Sequence, residues 1–160
     1  MIVGVDNGLS GGFVAITESG DIVDKIVMPT FIVGKKTEVD IRGVDEWLTS
    51  LGGVTVLAIE EPLPHAKSSQ AIRSMALSFG KLLGMAESLD YNVARIVVRE
   101  WQKAILGKVP KGMTKVAALK VATELAPNEN WLANSRCRTP HNGLVDAYLI
   151  AEFYRRTKKS

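Results

Sequence analysis

Three carboxylates and one carboxamide occupy positions that stability alone does not favour. Asp6 closes the apolar run MIVGVD just before a glycine-rich NGLSGG, and Glu60 closes the run VTVLAIE. Asp146 lies on the apolar-periodic stretch NGLVDAYLIAEFY, four residues after Asn142. An acid at the end of a buried strand loses its hydration and needs a positive partner. A local duty is one reading: Asp6 caps the glycine turn, and Glu60 faces solvent at a strand end, with Glu61 across the pleat. A joint duty is the other. If the first and fourth strands are neighbours, Asp6 and Glu60 emerge side by side, and a helix crossing that face adds Asp146. Such carboxylates raise one another's pKa unless divalent cations neutralise them. Oxygen-only donors select Mg2+, with Mn2+ as substitute, over zinc. Two such ions in an acidic cluster beside a basic flank can hydrolyse a phosphodiester.

The basic flank exists. The net charge of +3 hides a segregation: residues 1–61 hold 4 basic and 10 acidic side chains, whereas residues 62–140 hold 12 basic and 5 acidic. Lys103, Lys108, Lys111, Lys115 and Lys120 fall in a stretch with no acid, and Lys67, Arg73 and Lys81 lie near the start of a long helical pattern. A solvated face is the plain reading of such a block; a phosphate-tracking, salt-sensitive, sequence-independent DNA surface is the other. Trp101 and Met113 inside the block read as core rather than as base-stacking wedges. His141 reads as a cap or surface residue, with a proton-transferring imidazole near the scissile phosphate as the alternative. His65 has no such setting.

The elements that must position these residues follow from periodicity. MIVGVD, FVAIT and DIVDKIVMP read as a strand meander; GGVTVLAIEEP is a covered central strand; YNVARIVV is another strand. Helices are expected over 38–51, 66–89 (with Gly80 and Gly84 allowing close approach to a neighbour), REWQKAIL, TKVAALKVATELA with Thr114 as N-cap, and from Pro140 to about Arg156. The expected class is α/β, a mixed sheet of about five strands with helices on both faces, forming one domain over 1–160. The lone Cys137 fits a reducing cytosol, no apolar run approaches the ~20 residues of a membrane span, and the N-terminus does not read as a signal peptide.

GVDNGLSGG, LAIEEP and PHNGLVDAYLIAEFY together resemble the three acidic motifs of RuvC-like Holliday junction resolvases, of the phage-type branch in the ribonuclease H-like superfamily. VREWQKAILGKVPKGMTKVAALKVATELAP and WLANSRCRTPH extend the resemblance over essentially the whole chain. It implies that Asp6, Glu60 (rather than Glu61) and Asp146 are catalytic metal ligands, holding two ions. It also implies a homodimer on four-way DNA junctions, a phage or bacterial intracellular setting, and 5′-phosphate and 3′-hydroxyl product ends. The attacking group is then a cation-activated water, not a side chain. The family pattern has Asp where this chain has Asn142. Asn142 and Asp146 share a helix face, so one edge can present two oxygen donors, but an amide brings no charge. Three readings compete: a natural active variant, a natural binding-only variant, or a chain made deliberately inactive. The near-isosteric swap within an intact motif favours the last.

Rival classes are weaker. An actin-like or sugar-kinase phosphate-binding fold shares the Asp-Gly hairpin but needs two such domains. A catalytically silent junction binder is motivated by Asn142. A nuclease acting on forks, flaps or other branched DNA keeps the same chemistry.

Overall fold

The computed structural model describes residues 1–62 and 68–158; the expected DNA contact Lys67, together with His65, lies outside the described residues. Strands β1 (Ile2–Asp6), β2 (Gly12–Ile16) and β3 (Ile22–Val27) form an antiparallel meander. Strand β6 (Val56–Glu60) pairs in parallel with β1, and β7 (Val93–Ile96) in parallel with β6, so the sheet order is β3-β2-β1-β6-β7. Between β3 and β6 run β4 (Thr30–Val33), β5 (Lys36–Val39) and helix α1 (Ile41–Leu51). Helix α2 (Ser69–Ser88) joins β6 to β7, and α3 (Val98–Leu106), α4 (Thr114–Leu125) and α5 (Asn142–Lys158) complete the chain. The expected mixed five-stranded sheet covered on both faces is present.

Side chains alternate across a strand, and this alternation builds two cores. Ile2, Val14, Ile16, Val56 and Ala58 pack with Trp101, Ala118, Ala122 and the buried face of α5. Val3, Val5, Phe13, Leu57 and Ile59 pack with Val44, Trp47 and Leu48 of α1 and Leu82, Met85 and Ala86 of α2. Position 4 of β1 belongs to the α5 face, and its glycine is obligatory. A Cβ there would stand 2.0 Å from the Ala147 carbonyl oxygen, so α5 crosses β1 in direct backbone contact. Gly143 does the same at the start of α5, where a Cβ would meet Gly11 Cα and the Ser10 carbonyl at 2.5 Å.

Several expectations are corrected. Residues 30–39 form a β4–β5 hairpin, a separate two-stranded sheet, where no strand was expected; Glu38 and Val39 are therefore strand, and α1 starts at Ile41 behind its Asp40 cap. Thr114 is the first helical residue of α4 rather than its N-cap; Met113 holds that position without a side-chain cap bond. Helix α5 begins at Asn142, two residues after Pro140. A Cβ on Gly80 or Gly84 meets nothing within 4 Å, so this glycine edge of α2 serves no close contact among the described residues.

The two glycine settings predict opposite outcomes. Gly4→Ala forces α5 off the sheet and costs at least about 3 kcal/mol, at the upper end of over-packing penalties. Gly80→Ala, in an exposed helix interior, stabilises by about 0.5–1 kcal/mol. Denaturant titration of the three proteins checks both signs.

Candidate functional site

The even positions of β1 and β6 face α5: Ile2, Gly4 and Val56, Ala58 all do, and Asp6 and Glu60 continue the two series. The parallel register pairs Val5 with Ile59, so the next step sets Asp6 beside Glu60. The Gly4 and Gly143 contacts then lay the first turns of α5 over this strand end, and Asp146 comes with them. The condition for a joint duty of the three acids, adjacency of the strands that Asp6 and Glu60 close, is therefore met by the pairing of β1 with β6.

Electrostatics records the convergence. Burial raises the Asp6 carboxyl above its ordinary range, against lowering contributions from the Gly8 amide (Gly8 N to Asp6 Oδ1, 3.1 Å) and from His141. Glu60 is pushed up to about 8, first by burial, then by Asp6 and Asp146, while a hydrogen bond from Trp101 works against the rise. Asp146 is pushed up to about 7 by burial and Asp6, with Lys115 opposing. Removed from water and facing one another, the acids hold protons that free carboxylates would release.

The surroundings fix each group differently. Trp101, fully buried on α3, donates its indole N–H to Glu60 Oε1 at 2.7 Å. Asn7, also buried, donates its amide to the Glu60 main-chain oxygen. His141 caps α5: its Nδ1 accepts from the Leu144 amide at 3.2 Å and its carbonyl accepts from Leu144 and Val145. An accepting Nδ1 leaves the ring proton on Nε2. The cap reading of His141 thus has a direct contact, and the ring still lines the cleft. That cleft, about 390 Å³, is walled by Asp6, Gly8, Lys115, His141, Asn142 and Asp146 among others. Asn142 is exposed at its rim, and Glu60 is not one of its walls.

Of the expected DNA contacts, Lys115 reaches this cleft, while Lys103, Lys108, Lys111 and Lys120 are exposed on or around α3 and α4. Lys120 pairs loosely with Glu124 at 3.9 Å. Lys81 is engaged elsewhere, 2.6 Å from Glu38 and over the Phe31 ring. Arg73 borders a different groove. Sequence reasoning assigned Trp101 to the core and passed over its role and that of Asn7. The available signal was that a buried indole N–H requires an acceptor.

The donor set suits a hard divalent cation: carboxylate oxygens, an amide oxygen at the rim, and an excess of mutually repelling negative charge. No three His, Cys, Asp or Glu side chains among the described residues already form a closed ligand group. An ion would be held by carboxylates that reorient around the open cleft.

Neither a family model nor a curated protein matches the chain. Solved structures do. Thermus thermophilus RuvC in complex with a Holliday junction substrate aligns with a TM-score of 0.66 at 15% identity, over 98% of this chain and 95% of that one. A second structure of Thermus thermophilus RuvC aligns with a TM-score of 0.62 at 15% identity, over 98% and 96%. The chain has the RuvC fold. The RuvC fold accounts for the mixed sheet and its helices from end to end, leaving the chemistry to be argued from the cleft. No described helix is long and apolar enough to cross a membrane.

Two outcomes follow. Glu60 and Asp146 bind protons more tightly folded than unfolded, so the stability they contribute is complete below the ordinary carboxylate range (3.8–4.5) and is lost as pH rises toward about 7 and 8. Without divalent cations the melting temperature should fall between pH 5 and pH 8.5, by about 2–4 °C for each kcal/mol lost. Glu60→Gln should flatten that fall, and millimolar Mg2+ should restore the melting temperature at the high-pH end. Trp101→Phe removes a donor that lowers the Glu60 pKa, so the fall should extend to higher pH. At pH 8.5 it should cost about 1.5–3 kcal/mol, the range for a hydrogen bond to a charged group. A pH series of thermal melts reads both.

Proposed function

We propose that this chain is a structure-selective DNA endonuclease of the phage-type RuvC-like resolvases. It would cleave four-way junctions by two-metal hydrolysis as a homodimer of single-domain protomers inside the cell. The observation that carries the reading is the electrostatic coupling of Asp6, Glu60 and Asp146 beside a cleft that also holds Lys115 and His141. Support comes from the three motifs in their order and from a fold shared with a RuvC solved on a Holliday junction substrate.

In this reading Asp6, Glu60 and Asp146, with the Asn142 amide oxygen, hold the ions. Bound divalent cations supply a lowered pKa for the attacking water and charge stabilisation for the departing 3′ oxygen. The chain's own residues do the rest. Trp101 and Asn7 hold Glu60 in place from both its carboxylate and its main chain. Lys115 offers a positive charge at the cleft wall for a non-bridging phosphate oxygen. His141, tethered by its cap bond, keeps the Nε2 proton available to a phosphate or leaving oxygen. Lys103, Lys108, Lys111 and Lys120 extend the contact along the backbone, which gives affinity without sequence reading. A junction's approximate two-fold symmetry suits an isologous dimer that places one acidic centre on each of two strands.

Asn142 favours a second reading, a junction binder without cleavage, because a neutral amide stands where the resemblance calls for a fourth charge. Cleavage of a synthetic four-way junction with Mg2+ or Mn2+, by this chain and by Asn142→Asp, separates the two. The expected result is junction binding by both in EDTA, with symmetric cleavage at least about 100-fold faster for the Asp form, the size of loss expected when one transition-state contact is removed. Equal cleavage makes the amide a working ligand, and binding without cleavage by either establishes the silent binder. No binding overturns the proposal.

A further inference from the structure

A second groove lies away from the acids. About 650 Å³ in volume, it runs between the tip of the β4–β5 hairpin (Lys35, Lys36), the first turns of α2 (Ser69, Arg73) and Leu9 of the β1–β2 turn. Leu9 belongs to the same turn whose Gly8 and Ser10 wall the acidic cleft. The two concavities therefore share that turn as a partition.

The hairpin pairs only with itself, joined by a two-residue turn in which Gly34 takes the positive φ of 62°. Its tie to α2 is on one side: Glu38 accepts from Lys81, and Lys81 sits over Phe31. That tie neutralises the groove's carboxylate and leaves Lys35, Lys36 and Arg73 as its charge. The tip also exposes three consecutive apolar residues, with Phe31 at 44%, Ile32 at 76% and Val33 at 48% of full exposure. Exposed strand edges are usually blunted by charge or cover; here apolar side chains and lysines are presented together. A second copy of the chain meeting this face about a two-fold axis would set like charges against one another. A nucleic acid supplies phosphates for the lysines and, where stacking is interrupted, base faces for the apolar tip.

We propose that the β4–β5 hairpin and its groove against α2 grip a DNA arm at the branch point. Lys35, Lys36 and Arg73 take phosphates and Ile32 abuts the unstacked bases. The proposal rests on the junction reading above and gives it a device for choosing branched over linear DNA. The groove and the acidic cleft lie on either side of the partition turn, so an arm held in the groove lies next to the cleft.

The test compares wild type, Lys35→Ala/Lys36→Ala and Ile32→Ser for binding to a four-way junction and to a linear duplex of equal length. Binding is measured in EDTA across a salt series. All substituted residues are exposed, and an unchanged thermal melt confirms folding. The lysine pair should lose about 10-fold or more in junction affinity, with a salt slope shallower by about 0.9 for each phosphate contact removed. Ile32→Ser should bind the duplex as wild type does but lose several-fold on the junction. Wild-type affinity and slope in both variants would overturn the proposal while leaving the junction reading standing. A change in sedimentation with DNA binding intact would assign the face to a second copy instead. Failure of the wild type to bind any branched DNA would overturn both.

Discussion

The structure depends on the contact between α5 and β1. Two helix–strand surfaces normally keep a layer of side chains between them, but at Gly4 the Ala147 carbonyl oxygen occupies the space a methyl group would need. Gly143 repeats the arrangement at the start of α5, on the backbone of the β1–β2 turn. Helix and sheet thus meet at backbone distance, which sets Asp146 over the strand end carrying Asp6 and Glu60. A larger residue at either glycine would move the helix outward and relax the repulsion among the acids. The glycines enforce an electrostatic strain that the remaining packing must hold.

That packing is substantial. Most of α5 is buried, including Leu144, Val145, Ala147, Tyr148, Leu149, Ile150 and Ala151. Even Glu152 is buried there, its charge answered by a two-bond contact from Arg155 and a third from Arg156. The contrast within one helix is informative. Glu152 has cations and is satisfied, whereas among the described residues Asp146 has the exposed Lys115 against burial and Asp6. A chain able to pair a buried acid four residues before its basic helix end leaves the acids at the other end without adequate compensation. Strongly perturbed acids gathered beside a cleft make it a functional-site candidate.

Much of this was legible in the sequence, and the missing parts have physical causes. The apolar runs and their terminal acids marked β1 and β6, and period-two alternation placed Asp6 and Glu60 on a common face once the strands paired. Spacing alone permitted convergence but did not require it, because pairing of strands 54 residues apart is settled by tertiary packing. The β4–β5 hairpin escaped notice because most of it stays outside the core, with only Val39 fully buried; with Phe31, Ile32 and Val33 all exposed, no buried-exposed alternation marks it. Its only local signal was Gly34-Lys35 between two β-prone runs. Trp101 looked like core and is core; its indole N–H shows that one side chain can fill a core and orient an acid.

The same geometry recasts Asn142. Burial pushes all three acids above their ordinary range, Glu60 to about 8 and Asp146 to about 7, so another carboxylate deep among them would raise every pKa further. Asn142 is instead exposed at the cleft rim, one helical turn above Asp146, where water screens its charge or lack of it. An aspartate there would add little repulsion to the cation-free site and much attraction for an entering ion. The amide keeps the donor oxygen and shape but forgoes that attraction. An amide at position 142 therefore stands where it leaves the fold untouched, and under the proposed function its effect would fall on ion occupancy.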